Sequence, residues 1–149
     1  MKEKKEDLVI VLVSGGMDSL ATAAIANSEY SQMAFLHLNY GQKTEKKELE
    51  CFEKICDFYK IKKELRKIID ISFLSQIGGS SLTDKNIEVK KYRGDDQEIP
   101  DSYVPFRNTH IISMAVSWAE VIGAKKIFIG AVFEDSSGYP DCRPSYYKA

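Results

Sequence analysis

The chain has 149 residues, 44% of them hydrophobic and 29% charged, with a formal net charge of −1. That is the balance of an ordinary soluble domain large enough to bury a core, and it gives no electrostatic case for nucleic acid as a partner. Apolar runs reach about six residues against the roughly 20 that span a bilayer, and Met1–Asp7 lacks the apolar centre of a signal peptide, so no membrane and a cytoplasmic location are expected.

The first predicted element is a strand, Leu8–Val13, whose continuous apolar run suits a buried parallel strand. It runs straight into Ser14-Gly15-Gly16-Met17-Asp18-Ser19-Leu20, where a helix begins. Two glycines admit unusual backbone angles and let a ligand approach the main chain. The first N–H groups of the helix and the positive end of its dipole face the same loop. The junction therefore suits a polyphosphate, while a Gly-Gly turn capped by Asp18 or Ser19 is the plain structural alternative. No lysine follows as in G-x-x-x-x-G-K-[ST], and the G-x-G-x-x-G of dinucleotide folds is absent. S-G-G-x-D-S resembles the signature of the PP-loop ATP pyrophosphatases, which grip the β,γ-pyrophosphate as a leaving group and transfer AMP to a substrate oxygen.

Further along, Asp18 to about Ser28 is predicted helical and Met33–Asn39 a second strand. Lys43–Tyr59 carries Leu49, Phe52, Ile55, Cys56 and Tyr59 at helical intervals. Lys63–Ile69 reads as a third strand, Asn108–Ile122 as a helix stopped by Gly123, and Lys126–Gly130 as a fourth strand. The alternation predicts an α/β fold: an open parallel sheet with helices on both faces, Rossmann-like, in one domain over 1–149. Residues 72–104, with Gly78-Gly79-Ser80-Ser81 and Pro100, break the rhythm and read as a long loop or lid.

The three cysteines form no disulfide framework in a chain without secretion signals. Cys51 and Cys56 do not share a helix face and read as small packed side chains. His37 and His110 are far apart in sequence, and no metal-ligand spacing is visible.

The block after the fourth strand, Ala131–Pro144, crowds Glu134, Asp135, Asp141 and Arg143 together at the carboxyl end of a strand. On chemistry alone it is either a ligand loop or a polar surface loop. Tyr103-Val104-Pro105-Phe106-Arg107-Asn108 and Ser137-Gly138-Tyr139-Pro140-Asp141-Cys142-Arg143-Pro144 closely resemble the 7-cyano-7-deazaguanine synthase (QueC, ExsB-like) family. Asn39-Tyr40-Gly41-Gln42 and Gly79-Ser80-Ser81-Leu82-Thr83 match it too, so the resemblance runs from about Leu8 to Ala149.

The resemblance implies an adenine nucleotide alpha hydrolase-like fold and a carbon–nitrogen ligase of queuosine biosynthesis. Such an enzyme converts 7-carboxy-7-deazaguanine and ammonia to the nitrile with ATP and Mg²⁺. It implies that Val13, Ser14, Gly15, Gly16, Met17, Asp18, Ser19 and Leu20 hold the nucleotide's phosphates, with Asn39 and Tyr40 near the adenosine. Asp18, Ser19 and Arg107 become the candidate catalytic residues. Arg107, Asn108, Asp135, Ser137, Gly138, Tyr139, Asp141 and Arg143 become the candidate substrate contacts. Arg107 would pair with a phosphate or the substrate carboxylate, or else form a structural ion pair. Asp135 and Asp141 would accept from a guanine-like edge or serve as turn caps. Cys142, with no histidine nearby in sequence, reads as packed or substrate-contacting rather than nucleophilic.

Three departures from the family stand out. Phe106 replaces the glycine of V-P-G-R-N, a bulk expected to narrow the pocket or alter its ligand. Lys43-Thr44 replaces the common Arg-His. The chain also ends at Ala149, before the family's lysine-containing segment and four-cysteine zinc cluster, so zinc belongs to the family but no zinc site is expected in this chain. A shortened chain of this kind is alternatively a catalytically incomplete nucleotide-binding module or partner subunit. Family members are often homodimers, and an uncovered apolar edge would favour self-association.

Overall fold

The computed structural model describes residues 3–84, 99–131 and 138–149. Strand β1 (Lys5–Leu12) leads through Gly16 into α1 (Met17–Glu29), and β2 (Tyr30–Asn39) follows with no intervening loop. Next come α2 (Glu45–Phe58), a 3₁₀ turn at Lys63–Leu65, β3 (Arg66–Asp70) and the short α3 (Leu74–Ile77). The described remainder holds α4 (Arg107–Ile122), β4 (Lys126–Phe128), a 3₁₀ turn at Pro140–Cys142 and α5 (Pro144–Lys148).

The four strands form one parallel sheet in the order β3-β2-β1-β4. β1 is central, and Val9, Ile10 and Val11 are wholly buried, which is why its sequence is apolar without alternation. Successive side chains nevertheless go to opposite faces. Val9, Val11 and Phe35 pack with Ala23 and Ala26 of α1 and with Phe52 and Cys56 of α2. Ile10, Leu12 and Leu36 pack on the other face with Ala115 and Trp118 of α4. Alanines at the α1 contact let that helix lie close on the sheet. The expected helices on both faces are present.

The chain walks outward from β1 through β2 to β3, then returns to lay β4 along the other side of β1. That reversal opens a crevice between the carboxyl ends of β1 and β4, the place where open α/β sheets take ligands.

Some boundaries differ from the sequence reading. β2 starts three residues earlier than Met33, because Ser31 and Gln32 use their side chains on the β1 backbone. The Ser31 hydroxyl donates to the Lys5 carbonyl at 3.2 Å and Gln32 Nε2 to the Glu6 carbonyl at 3.1 Å, across a register irregularity between Lys5 and Leu8. The expected strand over Lys63–Ile69 begins only at Arg66, after the 3₁₀ turn. Arg66 sets that start, with Nε on the Ile61 carbonyl at 2.9 Å and Nη1 2.8 Å from Asp57 Oδ1 and 3.2 Å from Glu53 Oε2 of α2. β4 closes at Phe128 rather than Gly130. Of the long segment, 72–84 and 99–104 are described, and the two parts are tied by Ser81 N–H to the Asp101 carbonyl at 2.7 Å.

Candidate functional site

Beyond β1 the Val13 N–H still donates to the Leu36 carbonyl at 2.9 Å, so the loop leaves the sheet in register. Gly15 then turns with φ +90, a left-handed conformation that disfavours a side chain. A Cβ there would also lie 2.8 Å from both Cys51 Cβ and the Glu48 carbonyl oxygen, so α2 packs directly beneath the turn. Ser19, buried in the first turn of α1, braces the loop: its hydroxyl donates to the Gly16 carbonyl at 2.8 Å and accepts the Gly15 N–H at 3.2 Å. Gly16 N–H donates to Ser14 Oγ at 3.3 Å. No side chain caps α1, which leaves its opening N–H groups free to meet an anion.

A cavity of about 320 Å³ opens beside this loop. Val13, Ser14, Asp18 and Ser19 form one side, Ile129, Gly130 and Ala131 beyond β4 a second, and Tyr40, Glu48, Arg107, Asn108, Ile111, Tyr139 and Cys142 much of the rest. Gly130 is there for space, since a Cβ would meet Thr22 Oγ1 at 2.6 Å and the Asp18 carbonyl at 2.9 Å.

Among the described residues the cavity's cation is Arg107. Its Nη1 donates to the Tyr40 hydroxyl at 3.1 Å, and its guanidinium stands 5.1 Å from the centre of the Tyr40 ring. Burial pushes the Tyr40 phenol up from its ordinary pKa, while Arg107 pulls it back. Tyr40 is itself anchored: its N–H donates to Gln42 Oε1, and Gln42 Nε2 donates to Glu48 Oε2, both at 2.9 Å. The Thr44 hydroxyl takes the other oxygen of Glu48. The chain of bonds thus links the walls supplied by α2 and β2 to the guanidinium on α4.

α4 starts unusually. Phe106 precedes it at φ +49, left-handed for a bulky residue, and caps nothing with its side chain. The cap comes from 33 residues on: Asn108 N–H donates to Asp141 Oδ2 at 2.8 Å, and Asn108 Nδ2 to the Asp141 carbonyl at 2.9 Å. Cys142 Sγ lies 3.4 Å and the Tyr147 hydroxyl 3.3 Å from that same nitrogen. Burial raises the Tyr147 phenol to about 12.

The structure brings Val13, Ser14, Asp18, Ser19, Tyr40, Arg107, Asn108 and Tyr139 to one cavity. Gly15, Gly16, Met17, Leu20, Asn39, Gly138, Asp141 and Arg143 are not among its lining: Met17, Leu20 and Arg143 face solvent, and Asp141 is buried against Asn108. Asp135 and Ser137 lie outside the described residues. Phe106 does not narrow the cavity; its ring is 54% exposed and is no part of the wall. Sequence reasoning missed Glu48, Gly130 and Ile111. Glu48 is one charge among many on an amphipathic helix, whereas a glycine just past the fourth strand was a usable signal.

Fold and site together define a parallel α/β protein, Rossmann-like, with a glycine-bearing strand–helix loop beside a cavity at the point where strand order reverses. The chain belongs to the QueC family: the family model for queuosine biosynthesis protein QueC matches residues 8–149. It is 60% identical over 140 residues to a 7-cyano-7-deazaguanine synthase of Chloroherpeton thalassium, and 58% and 59% identical to those of Chlorobium limicola and Chlorobaculum parvum. Each alignment covers 94% of this chain and 61% of the relative, so the chain spans about three-fifths of their length.

Proposed function

We propose that this chain carries the nucleotide-binding and carboxylate-activating site of a 7-cyano-7-deazaguanine synthase acting in queuosine biosynthesis. In the proposed reaction the carboxylate oxygen of 7-carboxy-7-deazaguanine attacks the α-phosphorus of ATP and pyrophosphate leaves. Ammonia then displaces AMP to form the amide, losing one proton. A second ATP adenylates the amide oxygen and releases a second pyrophosphate; AMP then departs with that oxygen while the nitrogen gives up its two protons, which leaves the nitrile.

One observation carries the reading: Ser14 of the loop, Asp18 and Ser19 in the uncapped first turn of α1, and the cation of Arg107 line the same cavity at the reversal of strand order. The protein's task on this view is positioning and charge stabilisation. Ser14 and the first turn of α1 would hold the departing pyrophosphate, and Arg107 a phosphate or the substrate carboxylate. Asn108 and Tyr139, with Asp135, Ser137, Gly138, Asp141 and Arg143 of the same block, form or support the deazaguanine side, and Asn39 and Tyr40 the adenosine side.

Mg²⁺ fits the donor set. Among the described residues Asp18 and Glu48 are the carboxylates on the cavity wall, and Mg²⁺ is commonly held by one or two carboxylates plus substrate phosphates. Bound there, it would offset the charge of the leaving pyrophosphate. Among the described residues there is no group of three or more His, Cys, Asp or Glu side chains that could hold a metal ion. No described helix is long and apolar enough to cross a membrane. The reading takes small molecules as partners and a cytoplasmic setting, and includes a homodimer to be checked by sedimentation.

The test is pyrophosphate release with ATP, Mg²⁺, ammonia and 7-carboxy-7-deazaguanine, comparing wild type with Asp18→Ala. Release that needs the deazaguanine acid and is lost in the variant supports the reading. ATP binding without release identifies the alternative, a nucleotide-binding module without turnover.

A further inference from the structure

We infer that His37 is a positioning residue for the nucleotide loop, fixing which way the Val13–Ser14 peptide faces; the inference rests on the proposed role of that loop as a phosphate cradle. His37 is 1% exposed on β2, its ring tilted against Phe52 at 5.3 Å. Nδ1 lies 2.8 Å from the Val13 carbonyl oxygen and Nε2 lies 2.9 Å from Asn39 Oδ1. A carbonyl oxygen only accepts, so Nδ1 carries a proton and donates. Nε2 either donates to the Asn39 oxygen or, with that amide turned over, accepts from its nitrogen; the bond to Val13 is the same in both cases.

The bond matters because of where it falls. Val13 N–H is on the sheet ladder, but the Val13 carbonyl has left it and is held by the imidazole. The peptide is planar and trans, so the N–H of Ser14 points opposite to that carbonyl, away from His37. Gly15 N–H is taken by Ser19 Oγ and Gly16 N–H by Ser14 Oγ, whereas Ser14 N–H has no acceptor among the described residues. Ser14 lines the cavity. Turning the peptide over would release the carbonyl from His37 and present an oxygen, in place of an N–H, to an approaching phosphate. His37 thereby keeps a donor aimed before the ligand arrives, and a donor organised in advance needs no rearrangement on binding.

A purely structural histidine would also satisfy a buried carbonyl, so the test separates the two roles. In His37→Asn the amide nitrogen sits close to the Nδ1 position and can still reach Val13; in His37→Gln it sits near Nε2 and cannot. Titration calorimetry with inorganic pyrophosphate and Mg²⁺, together with amide NMR, would compare wild type and both variants after a thermal melt has shown them folded. The expected result is a pyrophosphate affinity about tenfold lower in His37→Gln, largely recovered in His37→Asn, with the Ser14 amide proton moving downfield on binding in wild type. Equal affinity in His37→Gln and wild type, no recovery in His37→Asn, or a wild type that binds no pyrophosphate would each overturn the inference. The proposed reaction fails separately: a wild type that shows the affinity order yet releases no pyrophosphate with the deazaguanine acid loses the reaction and keeps the role of His37.

Discussion

Asp141 caps the helix that carries Arg107: its Oδ2 accepts the backbone N–H of Asn108 at 2.8 Å, with both residues buried. The loop containing Pro140–Cys142 and the first turn of α4 are thereby locked together, and the guanidinium is aimed from that joint. Removing the carboxylate leaves a buried N–H at a helix start without its acceptor. Asp141→Ala is expected to lower stability by about 2 kcal/mol, read from urea unfolding. A midpoint equal to wild type would show that the cap is not needed.

Phe106 stands at φ +49, in the left-handed region that favours glycine. The left-handed conformation costs a side-chain-bearing residue about 1 kcal/mol, and a ring 54% exposed recovers little by packing. Phe106→Gly should therefore be more stable than Phe106→Ala by about 1 kcal/mol, even though glycine ordinarily loses to alanine. Thermal melts of the two variants decide it; the reverse order would place the strain elsewhere.

The two adjacent glycines of the loop are not equivalent. Gly15 has φ +90 and no room, with Cys51 Cβ and the Glu48 carbonyl each 2.8 Å from an added Cβ. Gly16 has φ −83, and an added Cβ there meets only Ser14 Oγ at 3.6 Å. Gly15→Ala is expected to destabilise by about 2 kcal/mol or more and Gly16→Ala by less than about 1 kcal/mol. Equal unfolding midpoints for the pair would contradict the packing of α2 beneath the turn.

Burial pushes the Cys56 thiol up to about 12 from its ordinary 9.0, with Arg66 the chief opposing influence. Between those values the unfolded chain has released a proton that the folded chain retains, so stability falls as pH rises. The contribution is intact below about pH 9 and is lost progressively toward about pH 12. Urea unfolding from pH 8 to pH 10 should show a decline that is shallower in Cys56→Ala. Iodoacetamide at pH 8 should meanwhile modify half-buried Cys51 before Cys56. A pH slope unchanged by the substitution would assign the decline to other groups.

Much of the architecture was legible because its causes are local. An unbroken apolar run marks β1 as a central parallel strand, glycines at 15 and 16 mark a turn into a helix, and the spacing of Leu49, Phe52, Ile55 and Cys56 marks α2. The start of β3 was less legible, because it depends on Arg66 reaching Glu53 and Asp57 on a different element. The same holds for Asp141, whose sequence neighbours suit a ligand contact or a turn cap equally; only its distance to Asn108 shows what the carboxylate holds.

By itself, then, the chain's sequence determined the order of the four strands and the three long helices, the Gly15–Gly16 turn into α1 and the family. Those follow from periodicity, from glycine's freedom at φ +90 and from motifs read over a few residues. The tertiary structure alone decided that Glu48, Gly130 and Arg107 meet in one cavity, that Phe106 stays outside it, and that His37 holds the Val13 carbonyl. The physical reason is that a hydrogen bond or a cavity wall depends on distances of a few ångströms between residues far apart in the chain, which are set only when β1, β2 and β4 are laid in register.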